Sequence, residues 1–423
     1  MNDSPPLARF HLFERTPSTR AGLADPEGAT VSALKSLSLE RARLSGKRIA
    51  VAAGSRGITN LREIVRGACR WLRALGAAPF VFPAMGSHGG ATAEGQRRVL
   101  AEYGVTPEFT GAEVRSSMET VTLGVTPEGI PVFMDRAASE SDGVLVINRV
   151  KPHTRFSGRI ESGLVKMMAI GMGKAEGARE YHRLALEHGF ERLFRSVAGT
   201  VLASGKIVAG IAVVENSQHQ PAVIRAAQPA AIVSLEEELL ALAKTMVPRI
   251  PFPRLDVLVV DEIGKNISGA GMDTKVIGRG LGTTPGEAPA IGLIYARSLT
   301  EESDGNSLGV GMADLIHERL YQKAEIEKMY VNARTSLNPE MARMPMRFGS
   351  DREALGFALS VVGAPGPGEQ RVVLIRNTLS LDRVLVSEAL AQESRELSGW
   401  SLSPQSEPLE FDADGNLPLP LAG

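Results

Sequence analysis

The sequence predicts an α/β protein of two domains. Residues 1–250 would form an N-terminal open, mostly parallel sheet with flanking helices, and residues 251–423 a second, smaller α/β domain. Three observations lead there. A succession of apolar strand, glycine-rich loop and helix occurs three times in the first half of the chain, the grammar of a parallel α/β sheet. A proline-rich joint, Pro248-Arg-Ile-Pro-Phe-Pro-Arg254, then precedes a fresh apolar strand. Finally, 423 residues exceed what one ordinary core accommodates.

The first ~45 residues read as a polar lead-in with little periodicity. Arg48-Ile-Ala-Val-Ala-Ala53 is a short apolar strand that empties into Gly54-Ser-Arg-Gly-Ile-Thr-Asn60. Asn60 can cap the next helix, whose apolar stripe is Ile64, Val65, Ala68, Cys69 and Leu72. Phe80-Val-Phe-Pro83 is a second strand, followed by the loop Met85-Gly-Ser-His-Gly-Gly-Ala-Thr92. A helix begins near Thr92, with Glu94 favouring its positive end. Gly143-Val-Leu-Val-Ile-Asn148 is a third strand. Ile207–Val214 comes next as a longer one, and residues 227–246 read as an amphipathic helix. Beyond the joint, Leu255-Asp-Val-Leu-Val-Val-Asp261 opens the second unit, with further strands at 289–296, 371–376 and 384–390. The last twenty or so residues, rich in prolines and acids, suggest a loose tail.

Composition narrows the function. Lys and Arg number 47 against 48 Asp and Glu, so the basic surplus of a nucleic-acid binder is missing. The single cysteine, Cys69, excludes an internal disulfide framework and a cysteine-built zinc site. The opening residues lack the pattern of a signal peptide, and no stretch offers the ~18 uninterrupted apolar residues of a membrane span. A cytoplasmic protein with no nucleic-acid or membrane partner is expected.

Chemistry concentrates between Asn148 and His182. Lys151, His153, Arg155 and Lys166 surround a Gly/Ser-rich turn, a set that suits anions, proton transfer or a metal and that a packed core has little use for. In parallel sheets ligands bind beyond the carboxyl ends of the strands. The loops bearing Arg56, His88 and His153 should leave that one edge together. Each residue also has a plainer reading: His88 as an exposed turn histidine, His153 as part of a structural loop, His182 as a surface histidine. Lys166, in the apolar run Gly-Leu-Val-Lys-Met-Met-Ala-Ile-Gly, is either snorkelling or recruited for chemistry. His11, His219 and His317 have no supporting neighbours in sequence. Gly264-Lys-Asn-Ile-Ser-Gly-Ala-Gly has the content of a phosphate loop without its spacing.

Taken in order, Gly-Ser-Arg56, Gly-Ser-His88, Lys-Pro-His153, the glycine-rich turn to Lys166, and His182 resemble the active-site segments of the nickel-dependent lactate racemase family. The resemblance runs from roughly residue 47 to 280 and implies two α/β domains with the site in the cleft between them. It implies a nickel pincer nucleotide, a pyridinium mononucleotide that holds Ni(II) through S, C and S. Lys166 would match its tether and His182 the protein's nickel ligand. His88 and His153 would match the two acid/bases, and Arg56 a residue of the cofactor or substrate region. Ser55, Ser87, Gly158 and Gly163 fall in the same cofactor-binding segments. Arg155, Lys151 and Lys265 are candidates to hold a substrate carboxylate.

The reaction implied by the resemblance is racemisation or epimerisation of a small 2-hydroxy acid, with cofactor-synthesis proteins as partners in maturation and a homo-oligomer compatible with it. Ala53 stands where the family usually has an aspartate, and Thr154-Arg155 where lactate enzymes tend to have an aromatic. Both point to a substrate other than lactate. Two alternatives stay open: an NAD-linked hydroxyacid dehydrogenase, which should show a GxGxxG loop that is missing here, and a nickel- or nucleotide-binding protein without racemase activity.

Overall fold

The computed structural model describes residues 6–16, 21–39, 41–54, 58–153, 156–247, 249–280, 289–336, 338–363 and 366–419. The chain divides into two compact units, Thr19–Val247 and Met1–Ser18 with Pro248–Gly423. The proline joint is therefore where one unit ends. The first residues depart from the expected 1–250 grouping, because strand β1 (Phe10–Arg15) belongs to the sheet of the other unit.

In the Thr19–Val247 unit, strands β2 (Arg48–Ala53), β3 (Ala78–Pro83), β4 (Glu113–Val114), β7 (Gly143–Arg149), β8 (Ile207–Glu215) and β9 (Pro221–Ala227) form a six-stranded sheet in the order β4-β3-β2-β7-β8-β9. All are parallel except the edge strand β9. Strands β5 (Thr120–Val125) and β6 (Pro131–Asp135) make a separate hairpin. Alternation along β2 sorts the two cores. Ala50 and Ala52 face a cluster with Leu164, Met168, Tyr181 and Leu239. Ile49, Val51 and Ala53 face Ile64, Val65, Cys69 and Leu72 of the helix Leu61–Ala74. Cys69 is a core thiol, pushed up to about 12 by burial.

The helix starts differ from expectation at one place. Asn60 adopts a left-handed backbone, φ 59°, and its side chain makes no capping bond. Thr92 does cap, its Oγ1 accepting from Gly95 N at 3.0 Å.

The other unit holds an eight-stranded sheet. Strands β10 (Arg254–Ile263), β11 (Ala290–Leu299), β12 (Leu315–His317), β13 (Met346–Phe348), β14 (Val372–Ile375), β15 (Arg383–Ser387) and β16 (Trp400–Leu402) join β1 in the order β13-β12-β11-β10-β14-β15-β1-β16. The five strands from β13 to β14 are parallel, and the rest alternate in direction.

Both ends of the chain overturn the sequence reading. The lead-in contains β1 and the helix Pro26–Lys35, which Asp25 caps through Gly28 N. Phe10 and Phe13 enter opposite cores, so β1 shows no alternation to read. The expected loose tail is docked. Fully buried Arg297 pairs with Asp261 and Asp351 and donates to Leu417 O at 2.7 Å, while Asp351 accepts Leu417 N at 2.9 Å. His317, without neighbours in sequence, bonds Asn416 across 99 positions at 2.8 Å.

Candidate active site

Strand order makes β2 the point where connections reverse: β3 and β4 lie to one side of it, β7 and β8 to the other. Such a switch point opens a crevice at the carboxyl edge. The loops after β2, β3 and β7 all leave that edge, as the sequence requires. Ser55 and Arg56, in the β2 loop, lie outside the described residues, as does Arg155.

Lys166 stands where these loops meet. Leu164–Lys166 is one helical turn that runs into a π-helical turn, Met167–Gly171, a local irregularity common at functional sites. Gly54, at the end of β2, packs so tightly here that a Cβ would lie 2.9 Å from Met167 Cε and 3.3 Å from Asn148 Oδ1. Asn148, from β7, donates to Gly163 O at 2.7 Å. The loop after β3 joins through Gly86 N, which donates to Gly171 O at 3.2 Å. Lys166 itself is half-buried.

The start of the Lys166 turn is covered by Glu236, a wholly buried residue of the helix Ile232–Met246. Glu236 Oε2 accepts Val165 N at 2.8 Å, and among the described residues Oε1 has no hydrogen-bond partner. Gly163 is required by this approach, since a Cβ there would fall 2.4 Å from the Glu236 carboxyl carbon. Burial raises the Glu236 carboxyl to about 7, against the opposing bonds from the Val165 and Leu164 backbone.

His88 is half-buried, and Ser87 beside it is exposed. The loop rests on a side chain the sequence reading did not single out. Gln96 Nε2 donates to Gly86 O at 2.9 Å and to His88 O at 3.2 Å. Its Oε1 accepts from Lys174 Nζ at 3.2 Å, and Lys174 also donates to Pro83 O at 2.5 Å and pairs with Asp135 at 3.1 Å. Burial lowers the Lys174 ammonium, while Asp135 pulls it back up. Nothing in sequence distinguishes a glutamine at position 96 from a surface one; only its burial does.

His153 is half-buried in the loop after β7, where Lys151 is exposed. Its ring lies 4.5 Å from that of Phe156 and 6.3 Å from that of Phe190, measured between centroids. His182 meets the same Phe190 edge-on at 6.4 Å. On the helix Lys174–His188, Tyr181 turns inward and bonds Phe133 N and Pro131 O, each at 3.0 Å, which leaves His182 facing out. His153 and His182 thus share an aromatic wall.

The described site residues of this unit therefore assemble from one sheet edge: Ser87, His88, Lys151, His153, Gly158, Gly163 and Lys166, with His182 against the same phenylalanine as His153. Lys265 belongs to the other unit, in the loop after β10. Its Nζ donates to Gly269 O at 2.6 Å and its N–H to Ser303 Oγ at 2.9 Å. Among the described residues no group of three or more His, Cys, Asp or Glu is placed to hold a metal, and no helix is long and apolar enough to cross a membrane.

Comparison with known proteins gives a family resemblance for part of the chain. Residues 27–192 match the family described as the lactate racemase N-terminal domain, a span that contains the β2, β3 and β7 loops, Lys166 and His182. Over that span the chain resembles the lactate racemase family. Its fold is that of the lactate racemase apoprotein from Thermoanaerobacterium thermosaccharolyticum, at a TM-score of 0.50 and 12% identity, over 87% of this chain and 94% of that one. A protein from Thermotoga maritima aligns at a TM-score of 0.48 and 14% identity, over 78% of this chain and 82% of that one. A search of curated proteins finds no match.

Proposed function

We propose that this chain is a member of the lactate racemase family and interconverts the two configurations of a small 2-hydroxy acid other than lactate, with His88 and His153 as the two acid/bases. The observation that carries the reading is the placement of the two histidines. One follows β3 and the other β7, so they flank the central strand β2 from opposite sides. Strands two places apart are separated by roughly 10 Å, room for a small planar molecule between the loops.

The chemistry asks for this arrangement. The α-hydrogen of a hydroxy-acid anion is too weakly acidic for a histidine to remove directly. Oxidation to a planar 2-keto acid and reduction on the other face avoids a carbanion, but the hydroxyl proton must leave on one face and return on the other. Two bases are needed, one per face. Lys151 and Arg155, which flank His153 in sequence, are the cations proposed to hold the carboxylate.

A nickel pincer nucleotide fits the side chains present. Lys166 offers a half-buried amine at the loop junction for the tether, and His182 an outward imidazole for a single protein ligand. Ser87, Gly158 and Gly163 fall in the segments proposed to bind it, as Ser55 and Arg56 do by their place in the sequence. When bound, the nucleotide supplies the electrophile that takes and returns the α-hydrogen as hydride. The chain's own part is to bind, orient and move the hydroxyl proton.

The test is isotopic. Protein matured with pincer-synthesis proteins is given 2-hydroxy acids deuterated at the α-carbon. Retention of deuterium through inversion is expected. Washout into water would point to direct proton abstraction and overturn the hydride reading. Native mass of Lys166→Ala should lack the cofactor adduct, and unchanged adduct would remove Lys166 from the site.

A further inference from the structure

The loop that carries His153 closes around a carboxylate. Glu161 is fully buried; its Oε2 accepts the N–H of His153 at 2.6 Å, and its Oε1 that of Gly158 at 3.1 Å. Lys244, on the helix Ile232–Met246, lies 2.7 Å from the same Oε1 and donates to Gly158 O at 2.9 Å. Outside the loop, Glu191 accepts Arg159 N at 3.0 Å and pairs with Arg195. Lys244 sits about two helical turns beyond Glu236, so one helix braces both the His153 loop and the Lys166 turn.

This is an unusual use of a carboxylate. Burying one is unfavourable unless its oxygens are bonded and its charge is countered. Here two of the bonds go to backbone N–H groups, those of His153 and Gly158, and the counter-charge comes from Lys244. Such a clamp fixes the backbone at His153 and at Gly158, as a ladder fixes a helix or strand.

We propose that Glu161, with Lys244 as its counter-charge, is the positioning residue of His153. It fixes the loop so that the imidazole meets the substrate hydroxyl in one orientation, an inference that rests on the acid/base reading of His153. Glu161 itself touches no reacting atom. Its effect on catalysis passes through the His153 backbone.

The experiment uses the matured full chain and two variants, Glu161→Gln and Lys244→Met, each read by amide hydrogen exchange and by steady-state racemisation. A glutamine has one acceptor oxygen in place of two, so at least one of the His153 and Gly158 amides should exchange about tenfold faster or more. The kcat should fall by about 10- to 100-fold with KM within about twofold, because orientation rather than binding is lost. Lys244→Arg, which keeps the cation, should restore both readouts. A merely structural role would lower the melting temperature and leave kcat per folded molecule unchanged.

If Glu161→Gln does not fold, Lys244→Met carries the same test, since Lys244 is partly exposed and Glu161 keeps its bonds to the His153 and Gly158 backbone. Wild-type exchange at both amides, or accelerated exchange with unchanged kcat, would overturn the proposal. Should the unmodified protein racemise no 2-hydroxy acid, the function reading fails. Exchange then still decides whether Glu161 holds the loop.

Discussion

The two histidine loops are held by opposite means. The His88 loop is gripped through its carbonyl by the neutral amide of Gln96, behind which Lys174 and Asp135 form an ion pair with both side chains at most 1% exposed. The His153 loop is gripped through its N–H by a charged carboxylate whose counter-ion, Lys244, keeps 32% of its side chain in solvent. One support is dry and the other is wet on one side. Two groups proposed to do matched chemistry on opposite faces of a substrate are therefore expected to answer differently to mutation, pH and salt.

The histidines themselves set the largest effect. His88→Ala and His153→Ala should each lower racemisation in both directions by ~10²–10⁴-fold while cofactor loading persists. The double mutant should fall little further, because every turnover passes through both. Additive losses would show that the two loops serve separate reactions, and would break the comparison at its root.

Stability comes next. Lys174→Met strands the Asp135 carboxylate, Gln96 Oε1 and Pro83 O in a dry interior, a loss of about 3–5 kcal/mol. Lys244→Met also removes a counter-charge from a buried carboxylate, but Glu161 keeps the His153 and Gly158 N–H bonds, and the cost should be smaller, about 1–3 kcal/mol. Urea denaturation of the two variants side by side measures the difference. Equal losses would mean that both supports are equally buried in solution.

Much of this scaffold is legible in the sequence, and the rest is hidden for a physical reason. Strand–loop–helix periodicity locates β2, β3, β7 and the edge from which the candidate site is built, because parallel strands buried on both faces read as apolar runs. Glycines beside His88 and before Lys166 mark where chains approach closely. The supports stay hidden. Gln96, Glu161, Lys174, Glu236 and Lys244 are polar residues that a one-dimensional reading assigns to solvent, and their roles depend on partners up to 91 positions away. The docked tail escapes for the same reason, since Arg297 meets Leu417 only after the sheet has formed. Long-range burial of polar groups leaves no local pattern.

Glu236 extends the contrast to pH. Its carboxyl, raised from 4.5 to about 7 by burial, holds a proton in the folded protein that the unfolded chain has already lost. That contributes stability below pH 4.5 which fades as pH rises through the window to about 7, by on the order of 3 kcal/mol at most. Glu236→Gln keeps an acceptor for Val165 N–H without the ionisation. The variant should match the parent near pH 5 and exceed it increasingly up to pH 8 in thermal melts. Parallel curves for the two proteins would show that Glu236 does not titrate in this window.

The smallest effect is the most direct comparison of the two supports, and it needs no mutation. Charges that reach solvent are screened by salt, with a Debye length that falls from ≈ 10 Å at 0.1 M to 3 Å at 1 M, whereas buried pairs are screened far less. The Lys244–Glu161 contact is reachable by counter-ions from the Lys244 side, and the Lys174–Asp135 contact is not. Raising salt from 0.1 to 1 M should therefore speed amide exchange at Gly158 by about two- to threefold, the equivalent of a few tenths of a kcal/mol in an exposed pair. Exchange at Gly86, in the Gln96-held loop, should stay constant over the same range. If both amides respond equally, the two loops open together, and the supports act as one cooperative unit beneath both histidines rather than as two independent clamps.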